Sequence, residues 1–423
     1  MDFIALPSAR HYTIRNVRLA KAGEDGTTRF FQSEVSVRDG RLTEQPSAAR
    51  IDAGGGIVLP VFVDMHTHLD KGHTWPRASN PDGTFDGALS TVRNDRALHW
   101  SERDVRMRMD FSLQCAFAHG TRAIRTHLDS ASPQHRISWP VFRETAQDWA
   151  GRMELQAVAL VPIEDVDSHG DFVEIANLVA ASEGVLGCVT YPCGDFTRRL
   201  NVLFRMAAER EVDLDLHVDE THDTDSNTLR EIAATAIETG FGGAVTVGHC
   251  CSLARQPAGI AAETMELVAR SGLAVVSLPM CNLYLQDRGL ARTPRWRGVT
   301  LVHELDARGV PVCFASDNTR DPFYAYGDLD MVEVMREATR ICHLDHASRP
   351  WLDAFSARPA EACGFSRSAL EPGDPADFIL FSARNWTELL ARPQSDRVVV
   401  RNGLAIDRSL PDYRQLDELM ETR

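Results

Sequence analysis

Eight short apolar runs recur through the middle of the chain, at 58–68, 123–128, 155–161, 185–191, 212–218, 244–249, 273–278 and 310–315. Apolar side chains on consecutive positions suit strands that are covered on both faces. Helical periodicity separates the runs, as at 102–118, 172–181, 232–239 and 264–271, and another helical stretch, 331–342, follows the last run. Parallel strands with a helix after each close into a (β/α)8, TIM-like barrel, and few other folds accommodate eight of them. The flanks read differently. Residues 11–19 and 31–37 alternate around a turn at Asp39-Gly40, while 376–381 and 397–401 are apolar runs beside Pro372-Gly373-Asp374 and Asn402-Gly403. The expectation is an α/β chain in which residues 1–57 and 371–423 build a small β-sandwich domain and 58–370 form the barrel.

A barrel of this type places its chemistry where the strands end. Ionisable residues stand there, in His66-Thr67-His68, Arg125-Thr126-His127, His217-Val218-Asp219-Glu220, His249 and Ser316-Asp317-Asn318. Residues i and i+2 of a strand share a face, so His66 and His68 project together. Alone, such a pair also suits a turn or an exposed surface. With His217, His249 and Asp317 ending other strands, imidazoles and a carboxylate converge on one mouth, a donor set for one divalent ion, Zn2+ or Fe2+. His66, His68, His217 and Asp317 are the expected ligands, leaving one position for water, whose pKa the ion lowers to about 7. Glu220 is placed to move protons between that water and a substrate nitrogen, with Asp219 and His222 as competitors for the role. His249 is assigned to holding the site or its transition state.

Charge and cysteine usage narrow the classes. Sixty acidic against 45 basic residues leave a net charge of -15, which argues against nucleic acid and anionic membrane surfaces as partners. No apolar run approaches the roughly 20 residues of a membrane span, and Met1-Asp2-Phe3-Ile4 does not open a signal peptide, so a cytoplasmic protein is expected. Nine cysteines without a Cys-x-x-Cys pair read as reduced thiols. Pro192-Cys193-Gly194-Asp195 begins like the cysteine-ligated zinc deaminases but lacks their second cysteine, which excludes that type.

These residues resemble the amidohydrolase superfamily, in His66-Thr67-His68, His217, Glu220, His249 and Asp317 across a barrel with a split β-domain. Three stretches are similar to its cytosine deaminase branch: Val63-Asp64-Met65-His66-Thr67-His68-Leu69-Asp70-Lys71, Arg125-Thr126-His127-Leu128-Asp129 and Asn282-Leu283-Tyr284-Leu285-Gln286-Asp287-Arg288. Ala315-Ser316-Asp317-Asn318-Thr319-Arg320-Asp321 also resembles isopropylammelide aminohydrolase. Binuclear members of the superfamily bridge their metals with a carboxylated lysine on strand four. This chain has only Lys21 and Lys71, neither on 185–191, so the resemblance implies a mononuclear site.

The implied reaction is hydrolysis of the exocyclic amino group of an N-heterocycle, releasing ammonia. Activated water attacks the amidine carbon, Glu220 protonates the adjacent ring nitrogen, His249 polarises the attacking oxygen, and Asp317 relays its proton to the leaving ammonia. Cytosine is the first expectation for the ring, a small-molecule substrate. The branch's glutamine reader is absent from Leu160-Val161-Pro162-Ile163-Glu164, and Asn318 and Phe323 stand where it carries an aspartate and a tryptophan. A pterin or triazine keeps the same chemistry, as an alternative beside cyclic amide or N-alkylamine hydrolysis. Gln286, Arg288 and Asn318 are candidate edge readers, and Trp75, Phe323 and Tyr324 candidate ring walls. Asp70 and Lys71 are assigned structural roles, and Cys281 a filler near the mouth. A binding protein on an inactive barrel would lack a ligand or the proton shuttle, and none is missing. The resemblance also implies a possible homo-oligomer.

Overall fold

The eight apolar runs fold as parallel strands: β1 (Phe62–Thr67), β2 (Thr121–Asp129), β3 (Glu154–Leu160), β4 (Val189–Thr190), β5 (Leu214–Val218), β6 (Val245–His249), β7 (Ala274–Ser277) and β8 (Val312–Phe314). The computed structural model describes residues 3–22, 28–346, 351–392 and 396–421. Strands β1 to β3 pair in order, as do β4 to β8. Parallel bridges from Val158 to Val185 and from Pro162 to Val189 join β3 to the fourth segment, and Thr67 pairs with Asp317 just past β8. The strands therefore close into a ring. Every residue of β1, β2, β5 and β6 is buried, the condition that consecutive apolar positions meet.

Two runs depart from the expected strands. Run 58–68 splits at Val61: Ile57–Pro60 pairs with His11–Ala22 and Phe378–Phe381, and only then does the chain enter the ring. Proline, which has no N–H to donate, marks the break. Run 185–191 keeps a regular ladder only at Val189–Thr190. A Cβ on Gly187 would lie 2.1 Å from the Asp215 carbonyl oxygen and 2.8 Å from Val158 Cγ1, so here the backbone passes closer than a side chain allows.

Helices Glu102–His119, Asp171–Ala181, Thr228–Thr239 and Ala258–Ser271 lie between strands, and Met331–Cys342 follows β8. Helix Phe85–His99, after β1, is not announced by the sequence pattern. Its apolar face is short, confined to Phe85, Ala88, Leu89 and Val92 in its first half, and the helix begins on a Thr84 hydroxyl that accepts from Gly87 N–H. Among the described residues no helix is long and apolar enough to cross a membrane. The nine cysteines are free thiols, as expected.

The two flanks meet, but in one continuous mixed sheet where a sandwich was expected. Its order is Leu404–Ala405, Arg397–Arg401, Phe378–Phe381, Ile57–Pro60, His11–Ala22, Thr28–Arg38 and Arg41–Thr43, with Arg50–Asp52 added beside His11–Ala22. Side chains alternate across a strand, and here both faces are used. Val58, Phe378, Leu380, Val398 and Val400 pack with Tyr12, Ile14 and Val37 in a core of the sheet's own. Their alternates Ile57, Leu59, Ile379, Phe381 and Val399 join the main core.

A buried ion pair fastens this sheet to the segment after β8. Arg397 Nη1 donates to Asp330 Oδ1 at 2.8 Å and to the His119 carbonyl at 3.0 Å, and Nη2 donates to Asp330 Oδ2. Asp330 also caps helix Met331–Cys342. Burial pushes its pKa up, but Arg397 and His119 outweigh that and hold the carboxyl below the ordinary range. Arg397→Met strands the carboxylate and should cost about 3–5 kcal/mol in urea denaturation at neutral pH. Because the folded pKa is depressed, the pair's contribution is complete above about pH 4 and fades as pH falls through the lowered value.

Candidate metal centre and active-site cavity

Strand ends bring four donor atoms together. His66 Nε2 lies 3.2 Å from His217 Nε2 and 3.6 Å from Asp317 Oδ1, while His68 Nε2 lies 3.3 Å from each of the same two atoms. Neighbouring donors at such separations are close enough to bind one ion at the roughly 2.0–2.2 Å that Zn2+ keeps from imidazole nitrogen or carboxylate oxygen. The Nδ1 atoms of all three histidines and both Asp317 oxygens are buried without a hydrogen-bond partner. Burial, reinforced by the neighbouring imidazoles and Lys71, holds the histidines well below their ordinary pKa and so neutral, while burial lifts Asp317 to about 7. Neutral imidazoles and a carboxylate this close together, with buried polar atoms left unpartnered, are a donor set that fits a divalent cation. His127 and His249 extend the same buried group of possible ligands.

The ring's closure sets the ligand positions. Asp64 on β1 is fully buried and accepts from both the Ser316 amide and hydroxyl, and Asp317 N–H donates to the His66 carbonyl at 2.9 Å. These bonds fix β1 against the end of β8. Asp219, His249 and Asp317 have φ of 47°, 67° and 67°, left-handed values that cost a residue with a Cβ and mark sharp turns where the strands end. Gly248 makes room for the ligand: a Cβ there would sit 3.0 Å from His66 Cε1 and 3.3 Å from its Nδ1. Below the ligands, Arg125 Nη1 donates to Asp215 Oδ2 at 2.9 Å, and His127 Nε2 is 3.3 Å from Asp215 Oδ1. Sequence reasoning gave His127, Asp64 and Asp215 no role. Their signal was an ionisable side chain inside an otherwise apolar strand.

Glu220 reaches the edge of this group. Its Oε1 accepts from Asn282 Nδ2 at 3.1 Å and lies 3.3 Å from His249 Nδ1, itself 3.0 Å from Asn282 Nδ2. Burial, then the Asp317 charge, pushes the Glu220 carboxyl well above its ordinary range, against the smaller opposing effects of Lys71 and Asn282. Burial and His127 take His249 down to about 3. The two competitors for the proton-transfer role lie otherwise. Asp219 accepts from the Ser226 hydroxyl, the Thr228 amide and hydroxyl, and the Leu229 amide, spending both oxygens on the start of helix Thr228–Thr239. His222 is exposed at the cavity rim.

The cavity above the donors measures about 620 Å3 and is roofed by one face of helix Phe85–His99, through Phe85, Leu89, Val92 and Arg96. Gln286, Arg288, Asn318 and Phe323 line it, as expected. Gln286 Nε2 donates to the Glu220 carbonyl at 3.2 Å, while Arg288 binds the Tyr284 carbonyl and covers its ring at 4.1 Å. Asn318 donates to Asp321 Oδ2 at 2.7 Å, and Cys281 Sγ approaches Asn318 Oδ1 at 3.5 Å. Lys71 also lines the cavity, paired with Asp129 at 2.9 Å. Trp75 is outside the lining. His73 N–H to the Thr319 carbonyl and Trp75 N–H to the Arg320 carbonyl lay this stretch along the loop after β8.

The amidohydrolase family model matches residues 49–184 and 179–407. The chain is 51% identical to pterin deaminase of Rhizobium rhizogenes (strain K84), covering 99% of both chains. It is 24% identical to N-isopropylammelide isopropyl amidohydrolase of Pseudomonas sp. (strain ADP), over 84% of this chain and 87% of that one. The structure of 5-methylcytosine deaminase from Klebsiella pneumoniae superposes with a TM-score of 0.82 at 26% identity, covering 95% of this chain and 98% of that one.

Gly248→Ala crowds His66 from behind. Retention of Zn2+ against a chelator, followed by metal analysis after dialysis, should weaken by roughly tenfold or more while far-ultraviolet circular dichroism stays that of the parent.

Proposed function

The chain belongs to the amidohydrolase family, and from that premise we propose that its strand ring is a (β/α)8 barrel carrying a mononuclear, metal-dependent deaminase of a pterin-type ring. The carboxyl of Glu220, buried between Asn282 and His249 beside the metal-fitting donors, is the observation that carries the chemistry. The ring follows from the full-length relation to a pterin deaminase, which supports the bicyclic alternative over cytosine. A cavity of about 620 Å3 is roomy enough for a fused ring with a substituent.

His66, His68, His217 and Asp317 would hold a divalent cation, which when bound would lower the pKa of water to about 7. Both Zn2+ and Fe2+ suit this donor set. Glu220 gives its proton to the ring nitrogen beside the amino-bearing carbon, which makes that carbon electrophilic. With the Asn282 amide donating to His249 Nδ1, the imidazole carries its proton on Nε2, the buried and unpartnered nitrogen, and donates it to the attacking oxygen. Asp317 takes the water's proton and passes it to the departing amine, which leaves as ammonia. Gln286, anchored through its amide nitrogen, keeps its carbonyl oxygen for a ring N–H. Lys71 spends one proton on Asp129 and offers the others to a ring oxo group.

Ammonia release from protein loaded with Zn2+ or Fe2+ decides the ring. Pterin should exceed cytosine, isocytosine, creatinine and an aminotriazine in kcat/KM by roughly 100-fold or more, since a site built to bond one ring edge discriminates strongly. Preference for cytosine or the triazine would move the substrate to that ring, and release of an alkylamine would move the reaction class. Glu220→Gln should retain metal and lose about 10²–10⁴ in kcat. Because the acid acts only when protonated, parent activity should fall as pH rises through the elevated Glu220 pKa, and that limb should be absent from the residual activity of the variant.

A further inference from the structure

The segment 411–421 lies outside the cavity, yet it touches the loop that begins at His68, just past His66 on β1, and the loop that begins at Asp317. Backbone bonds already join them, from His73 N–H to Thr319 O at 3.0 Å and from Trp75 N–H to Arg320 O at 2.8 Å. Tyr413 closes this junction from outside. Its hydroxyl donates to Asp328 Oδ1 at 3.0 Å, and its ring lies 4.3 Å beneath the Arg320 guanidinium and 6.1 Å from the His73 imidazole. His73 is buried against Phe111 with neither ring nitrogen partnered, so it fills space and depends on its aromatic neighbours to stay in place.

The far end of the segment grips the first loop a second time. Arg77 Nη1 donates to the Leu419 carbonyl at 3.0 Å while the same guanidinium pairs with Asp95 and Asp104. Asp104 in turn holds Arg108, which is fully buried and donates to the carbonyls of Asp70 and Gly72. Leu416 anchors the middle of the segment, packed on Phe111 and Cys115 of helix Glu102–His119, and Phe111 is the same ring that His73 and Tyr413 pack against.

We propose that segment 411–421, through Tyr413, is a positioning element for the metal centre: it clamps the loops after β1 and β8 so that His66 and His68 stay in register with Asp317. Donors on the end of β1 and at the start of the loop after β8 hold an ion tightly only while those two segments keep their spacing, and groups behind the ligands commonly change metal affinity by about 10–100-fold. The proposal rests on the metal centre of the preceding reading and is independent of which ring the enzyme takes.

The experiment measures metal release to a chelator from the loaded full-length protein, with kcat, KM and thermal melting on the same samples. Tyr413→Ala should release metal about tenfold faster, with kcat falling and KM within about twofold of the parent. Tyr413→Phe keeps the ring under Arg320 and should recover most of the loss. Val400→Ala, in the separate core of the terminal sheet, should lower the melting temperature and leave release unchanged. Should Tyr413→Ala fold poorly, Tyr413→Leu replaces it. Parent-rate release from Tyr413→Ala, or equally fast release from Val400→Ala, would overturn the proposal. Neither readout of release depends on the substrate, so a failed substrate assignment leaves a different trace.

Discussion

Three imidazoles and a carboxylate, each 3.2–3.6 Å from two of the others in a buried place, are the constraint to which the rest of this molecule answers. Neutral imidazoles have too few N–H groups to satisfy every acceptor in such a cluster, and burial removes the water that would do so. A protein keeps such a cluster only if something rigid opposes its collapse. Here that rigidity comes from ring closure. Asp64 reaches across from β1 to Ser316, and the Asp317 amide binds the His66 carbonyl, so two ligands are fixed by the same contacts that join the first strand to the last.

The surroundings extend this logic in layers. Beneath the donors, Arg125 and Asp215 form an ion pair inside the ring, with His127 against both the pair and His66. Above them, Glu220 meets Asn282 and His249 in a triangle where one amide nitrogen serves both neighbours. The two layers act oppositely. Charges below are paired and fixed, whereas the carboxyl above is forced toward its neutral form and so has a proton to give. The same two-sided economy appears in the terminal sheet, where Val58 and Leu59, adjacent in sequence, serve different cores.

The fold class was legible because consecutive buried apolar residues leave their own signature, and helix Met331–Cys342 appeared at its expected bounds. The signature failed where it was locally ambiguous. Run 58–68 is uniformly apolar, so only pairing partners show that Ile57–Pro60 belongs to one sheet and Phe62–Thr67 to another. Helix Phe85–His99 roofs a cavity and needs only a short apolar face, which left it unmarked. One continuous sheet took the place of the expected sandwich because alternate residues of the same strands could face the ring.

The sequence alone determined the donor types and their places at strand ends: His66 and His68 by their spacing, His217, His249 and Asp317 by closing apolar runs. Strand periodicity and the rule that such strands end at a common mouth suffice for that. Which of two neighbouring carboxylates faces the buried histidines was a tertiary decision. Asp219 and Glu220 are adjacent carboxylates, yet one is spent on the start of a helix and the other stands beside His249. Trp75 left the cavity for the same kind of reason, since backbone bonds to Thr319 and Arg320 set the path of its loop. Side-chain chemistry is written residue by residue, but desolvation and orientation are properties of the packed surroundings, which residues distant in sequence supply.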